Sequence, residues 1–131
     1  MLCLNNVKFL GSKGLLEVSM IVNACDVSIV SFANIDILKT NSPNKLFDSL
    51  SAGKPIIVNS AGWTKDMVEE HNCGLFANPL NPKDLIMQIQ KLETNVDLRK
   101  EFSKNSRLLA KNVYDKSILI PKLIDILENF K

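Results

Sequence analysis

Ser42-Pro-Asn-Lys-Leu-Phe-Asp-Ser-Leu-Ser-Ala-Gly53-Lys-Pro55-Ile-Ile-Val58 is the stretch that decides the fold. Ser42 before Pro43 reads as a helix start: the hydroxyl caps, and proline stands first in the helix, where no amide hydrogen is needed. The helix closes at Gly53, suited to the left-handed conformation past a helix end, and Pro55 follows closely. Ile56-Ile-Val58 is then a short strand that is apolar throughout, as a buried parallel strand is. Helix, turn and buried strand in immediate succession form the repeating unit of an α/β fold.

Outward from this stretch the same alternation continues. Upstream, Val7-Lys-Phe-Leu10 reads as a strand ended by Gly11-Ser-Lys-Gly14. Apolar residues at 15, 18, 21, 22 and 25 have helical spacing. Val27-Ser-Ile-Val-Ser-Phe32 reads as a short buried strand, and residues 33–41 as a connection without clear periodicity. Downstream, Thr64 caps a short helix to about His71, and Asn72-Cys-Gly74 turns into a strand at Leu75-Phe-Ala77. Asn81-Pro82 repeats the cap-plus-proline start for a helix through about Leu92. Helices over 95–112 and 117–130 follow, with Pro121 near the start of the last or kinking it. The expectation is an α/β domain: a parallel sheet of about four strands flanked by helices.

Composition narrows the class. The 131 residues are 46% hydrophobic and 23% charged, which is ordinary globular usage for one domain with a real core. A net charge of +2 lacks the basic excess of dedicated nucleic-acid binders. Cys3, Cys25 and Cys73 form no Cys-x-x-Cys pair, and His71 is the one histidine. No zinc cluster is expected, and the cysteines read as small core residues in a reducing compartment. The start, Met1-Leu-Cys-Leu-Asn-Asn, does not read as a signal peptide, and apolar runs such as Ile56-Ile-Val are far shorter than a membrane span. The expected location is the cytoplasm. Residues 98–131 carry eight Lys/Arg against four Asp/Glu, which leaves open peripheral contact with the inner face of a membrane, although solvated helix faces explain the excess as well.

In an open parallel sheet, ligands bind beyond the carboxyl ends of the strands. Residues 11–14, 32–44, 59–64 and 78–81 are the segments expected to converge there. Thr40-Asn-Ser-Pro-Asn-Lys-Leu-Phe-Asp48 is the most informative. Free amides at its helix start, with the helix dipole behind them, suit a phosphate oxygen, and Lys45 in the first turn adds a mobile charge. Asn44 and Asp48 share one helix face, from which Asp48 can accept hydrogen bonds from the vicinal hydroxyls of a ribose. A capped surface helix with an ordinary Lys/Asp face accounts for the spacing equally well. Trp63, the one tryptophan, falls in a loop, where it either stacks on a ligand or covers the sheet. His71 at a helix end reads as structural, no Ser/His/Asp set can be built around it, and no P-loop pattern is present.

Taken together, Val7-Lys-Phe-Leu-Gly11, Cys25-Asp-Val-Ser-Ile-Val-Ser31, Asp48-Ser-Leu-Ser-Ala-Gly-Lys-Pro-Ile-Ile-Val58 and Asn72-Cys-Gly-Leu-Phe-Ala-Asn-Pro79 resemble a known family. The chain is similar to the C-terminal, nucleotide-sugar-binding half of GT-B-fold retaining glycosyltransferases of group one (family four). Within that group, residues 42–55 with Gly62-Trp63 resemble bacterial enzymes that build surface polysaccharides, lipopolysaccharide and O-antigens. The resemblance runs over essentially the whole chain, and residues 42–58 are its most specific part.

The resemblance implies a donor substrate, a nucleotide-diphosphate sugar linked to UDP or GDP, and no cofactor or metal. It implies that Leu10, Gly11 and Ser12 border the nucleobase through backbone groups. Of the family's two acidic residues separated by seven others, the second aligns with Asp48, which would hold the ribose. The first aligns with Thr40, which is not acidic, so a hydroxyl contact or another donor preference is implied. Asn41, Ser42, Pro43 and Asn44 replace a glycine-rich stretch, which shifts phosphate contact towards the helix start and Lys45, a stabiliser of the departing diphosphate.

The same resemblance implies that residues 1–131 are part of such a domain. Two strand–helix units with an Arg and a Lys, and an N-terminal domain that binds a saccharide or lipid-linked acceptor, would come from elsewhere. In the strand order 3-2-1-4-5-6 the chain would hold strands 3, 4, 5 and 6. Residues 7–10 would then lack a neighbour and form an exposed edge or an association site. The expected function is the donor-binding part of a hexosyl transferase, inactive alone. The alternative is a non-catalytic module that binds a nucleotide or a partner, as one subunit of a split transferase. A signalling receiver domain is excluded because no aspartate ends the strand at 27–32.

Overall fold

A computed structural model describes residues 5–130. Its elements, in chain order, are α1 (Leu15–Ala24), β1 (Ser28–Val30), a 3₁₀ turn (Asp36–Thr40), α2 (Asn44–Ser51), β2 (Ile56–Val58), α3 (Trp63–Glu70), β3 (Gly74–Phe76), α4 (Pro82–Thr94), α5 (Val96–Asn112) and α6 (Lys116–Asn129). The sheet is parallel throughout, in the order β1-β2-β3, with Ser28 opposite Ile56 and Ile56 opposite Gly74.

The central strand is apolar because both its faces are covered. Ile56 and Val58 point into a cluster with Val30, Leu46, Leu50, Met67, Val68, Cys73 and Leu109, built by α2, α3 and the end of α5. Ile57 points the other way, to Ala77, Leu92 and Phe102 beneath α4 and α5. The period-2 alternation of a strand thus divides three consecutive apolar residues between two layers.

Helix ends follow local chemistry. The Gly53 amide donates to Leu50 O and the Lys54 amide to Ser49 O, and Gly53 itself sits at φ +63°. This paired closure leaves no room for a residue that resists the left-handed region. Asn81 caps α4 by accepting from the Lys83 amide, with Pro82 in first place. Asn95 and Asp115 cap α5 and α6 in the same way, and Pro121 lies inside α6.

Helix α5 also closes the amino-terminal end of the sheet. Ser103 donates to Gly53 O and Ser106 to Lys54 O, Asn105 donates to Asn72 O, and the Arg107 guanidinium donates to Ser51 O. The carbonyls that leave α2 and lead into β2 and β3 are thereby satisfied by one helix.

Several expectations are corrected. Residues 7–10 form no strand: β1 pairs only with β2, and a lone extended segment has no ladder to join, so Phe9 is 92% exposed. The sheet among the described residues therefore has three strands. Ser42 is not the N-cap of α2; Pro43 holds that place at φ −81°, ψ 130°, and the Leu46 amide closes the first turn on Pro43 O. Gly62, not Thr64, precedes α3, and the buried Thr64 hydroxyl donates back to Ser60 O. Cys25 is exposed and only Cys73 is a core thiol, while Cys3 lies outside the described residues.

Two outcomes follow. A Cβ on Gly74 would stand 2.1 Å from Ile56 O, so Gly74→Ala must push β3 away from β2. Urea unfolding should show a loss of roughly 3 kcal/mol. Burial pushes the Cys73 thiol up to about 11, which leaves almost no thiolate near neutral pH. Maleimide labelling of the native protein, located by peptide mass, should therefore modify Cys25 well before Cys73.

Candidate functional site

At the carboxyl end of the sheet, the chain leaving β1 and the chain leaving β2 are joined by side chains. The Phe32 amide donates to Asn59 Oδ1 at 2.8 Å, and Asn59 Nδ2 donates to Phe32 O at 3.0 Å. One asparagine thus extends the β1–β2 ladder by an imitation of a backbone rung. Farther out, Ser60 Oγ donates to Leu38 O at 3.2 Å and Trp63 Nε1 donates to Asn41 O at 3.0 Å.

These contacts deliver residues 40–45 to the mouth of the sheet, where α2 begins. No side chain caps α2; the Leu46 amide turns back to Pro43 O, which leaves the Asn44 and Lys45 amides to donate outside the helix. Lys45 leans over the end of β1. Its Nζ donates to Ser31 O at 2.9 Å and lies 4.3 Å from the centroid of the Phe32 ring. The charge is therefore anchored where free mobility was expected. An ammonium has three donors, so two remain for an anion.

Each residue expected at the site has a definite place. Thr40 is exposed, and its hydroxyl donates to Ile37 O at 2.9 Å, so only its lone pairs face outward. Nearby, the Lys39 ammonium hydrogen-bonds Asp36 and holds that carboxyl below its ordinary pKa. Ser42 and Asn44 are exposed, and Asn41 is half-buried. Asp48 lies one turn along α2 and lines an open cleft of about 640 Å³ between α1, α2 and α5, which also carries Leu15, Ser19, Lys104 and Arg107.

Leu10, Gly11 and Ser12 are exposed ahead of α1, and Gly11 sits at φ +68° with open space around it. The hydrogen bonds described for residues 10–14 are local to the start of α1. Residues 78–81 likewise close on themselves and on α4, where Asp84 accepts from the Asn78 amide at 2.6 Å. Of the four segments expected to converge, side-chain hydrogen bonds join 31–45 to 59–64, and the other two stand apart from that network.

Asn59 had no assigned role in the sequence, although an asparagine directly after a buried strand is a signal for such a clamp. Trp63 is not in a loop, and it packs against the core cluster of Ile56 and Val58, as a covering residue does. It is the first residue of α3, half-buried, and its ring stacks on Phe47 at 6.2 Å. Among the described residues no group of three or more His, Cys, Asp or Glu side chains could hold a metal ion. No described helix is long and apolar enough to cross a membrane.

With this geometry in view, residues 2–109 match the family of glycosyl transferases group 1. The chain belongs to that family. It is also similar to an uncharacterized glycosyltransferase of Methanocaldococcus jannaschii, with 27% identity over 108 residues. That alignment covers 82% of this chain and 29% of the relative, so the chain spans about three tenths of the length of the glycosyltransferase it matches. No solved structure matches. The α/β architecture of this group 1 chain agrees with a partial Rossmann-like domain.

The Asn59 clamp can be checked directly. Asn59→Ala removes both bonds to Phe32 and should cost roughly 1–2 kcal/mol of unfolding free energy in urea. Asn59→Asp keeps the acceptor for the Phe32 amide but sets a carboxylate against Phe32 O, and should not restore the loss.

Proposed function

We propose that residues 1–131 are the donor-binding portion of a retaining GT-B glycosyltransferase, corresponding to the C-terminal half of that fold. The enzyme would move a sugar, of hexosyl type, from a nucleotide-diphosphate donor to a saccharide or lipid-linked acceptor. The observation that carries this reading is the uncapped start of α2 beside the anchored Lys45 ammonium, at the carboxyl end of a parallel sheet. Amides at a helix start and a fixed cation are complementary to the charge that builds on a diphosphate as the glycosidic bond to it breaks.

On this reading the free donors at the start of α2, with Ser42 and Asn44, meet the diphosphate. Asp48 accepts from the ribose hydroxyls, and Leu10, Gly11 and Ser12 border the base. Thr40 offers lone pairs where the family pattern has an acid, which favours a donor recognised through its hydroxyl protons. The acceptor surface and the remaining cationic residues belong to a further domain or a separate chain. The resemblance to surface-polysaccharide and O-antigen enzymes supports an acceptor of that class, and it is compatible with work at the inner face of a membrane.

The second reading is a non-catalytic module that binds a nucleotide or a partner, as one subunit of a split transferase. Titration of the 131-residue chain with UDP and with GDP separates the two. The donor-binding reading expects measurable affinity for one of them, weakened roughly tenfold or more in Asp48→Ala. It further expects a salt dependence that flattens in Lys45→Ala. A folded chain that binds neither nucleotide would favour the partner-only module. Sugar transfer is not expected from the chain alone, and turnover without a partner would refute its assignment as a portion.

A further inference from the structure

The first turn of α2 has no cap of its own, so something else must fix the chain that leads into it. Three carbonyls of that approach face the segment after β2. Leu38 O accepts from Ser60 Oγ and Asn41 O from Trp63 Nε1, while Lys39 O lies 2.9 Å from where a Cβ on Gly62 would stand. Gly62 sits at φ +105°, so glycine serves there for both conformation and closeness.

The indole does more than donate its N–H. Its ring stacks on Phe47 at an interplanar angle of 22°, and Phe47 in turn meets Tyr114 edge-on at 5.1 Å. Asn41 lies before Pro43 and Phe47 after it. One side chain therefore grips both sides of the bend at which the approach becomes helix: the carbonyl before it by a hydrogen bond, the ring beyond it by stacking.

We infer that Trp63 is a positioning residue that sets the path of residues 38–43 and, through it, the presentation of the α2 start to the diphosphate of a nucleotide. The inference rests on the donor-binding reading above. It assigns Trp63 no contact with the ligand. Its effect runs through Asn41 and Phe47.

The test uses Trp63→Phe and Trp63→Ala in the 131-residue chain. Three quantities are followed: thermal unfolding, amide hydrogen exchange over residues 37–45, and UDP and GDP affinity by calorimetry. Phenylalanine keeps a ring against Phe47 and loses only the donor, so Trp63→Phe serves as the folded reference if Trp63→Ala unfolds. Trp63→Phe should melt close to wild type yet exchange faster at the Asn41 amide, which is bonded to Leu38 O at 3.3 Å. It should also bind the preferred nucleotide about fivefold more weakly, the worth of one lost hydrogen bond.

Unchanged exchange in a folded Trp63→Phe overturns the inference, as does faster exchange with unchanged affinity. If wild type binds neither nucleotide, the donor-binding reading falls and the positioning role is decided by exchange alone. Faster exchange in Trp63→Phe then supports it and unchanged exchange overturns it.

Discussion

Everything in this molecule hangs on the complete burial of β2. Ile56, Ile57 and Val58 have no exposed surface, and between them they touch both layers of the core. Burial of three such side chains is worth roughly 5–8 kcal/mol, comparable to the whole stability of a small domain. β1 and β3 are aligned by pairing with this strand, and α2 and α3 are placed by packing against its Ile56 and Val58 face. The site inherits its position from that strand, because Asn59 and Ser60 follow Val58 directly.

The two ends of the sheet are finished by different means. At the amino end, a single helix, α5, satisfies carbonyls from two turns with serine, asparagine and arginine side chains. That arrangement spends the side chains of Ser103, Asn105, Ser106 and Arg107 on backbone carbonyls. At the carboxyl end, loop holds loop through Asn59, Ser60 and Trp63, and the Asn44 and Lys45 amides at the α2 start stay free. Backbone groups at the carboxyl end are thus positioned without being used up.

The α/β plan was legible because its signals are local. A glycine past a helix end, an Asn-Pro helix start and a three-residue apolar strand each identify themselves within a few positions, and Gly53, Pro82 and Ile56-Ile-Val58 all lie where their chemistry demands. What escaped the sequence depends on distant partners. Residues 7–10 have strand composition, but a strand exists only beside another. Lys45 is an ordinary first-turn lysine until Ser31 O, 14 positions away, is found beneath it. Asn59 pairs with a residue 27 positions back, and Asp48 turns towards a cleft whose other wall is α1. The stretch from Thr40 to Asp48 was locatable, but its internal geometry was not.

Helices α1 and α6 contain no buried residue, although both are rich in leucine, isoleucine and valine. Their consequence is one of cooperativity. A helix that shares no core with its neighbours cannot borrow their free energy, and 10 or 14 residues are marginal as isolated helices in water, more so with Pro121 inside one of them. The domain is therefore a tightly coupled centre, from β1 to α5, bracketed by two segments that open at far lower cost than global unfolding. A binding event that covered either bracket would extend the cooperative unit. The same centre would then unfold as a larger whole.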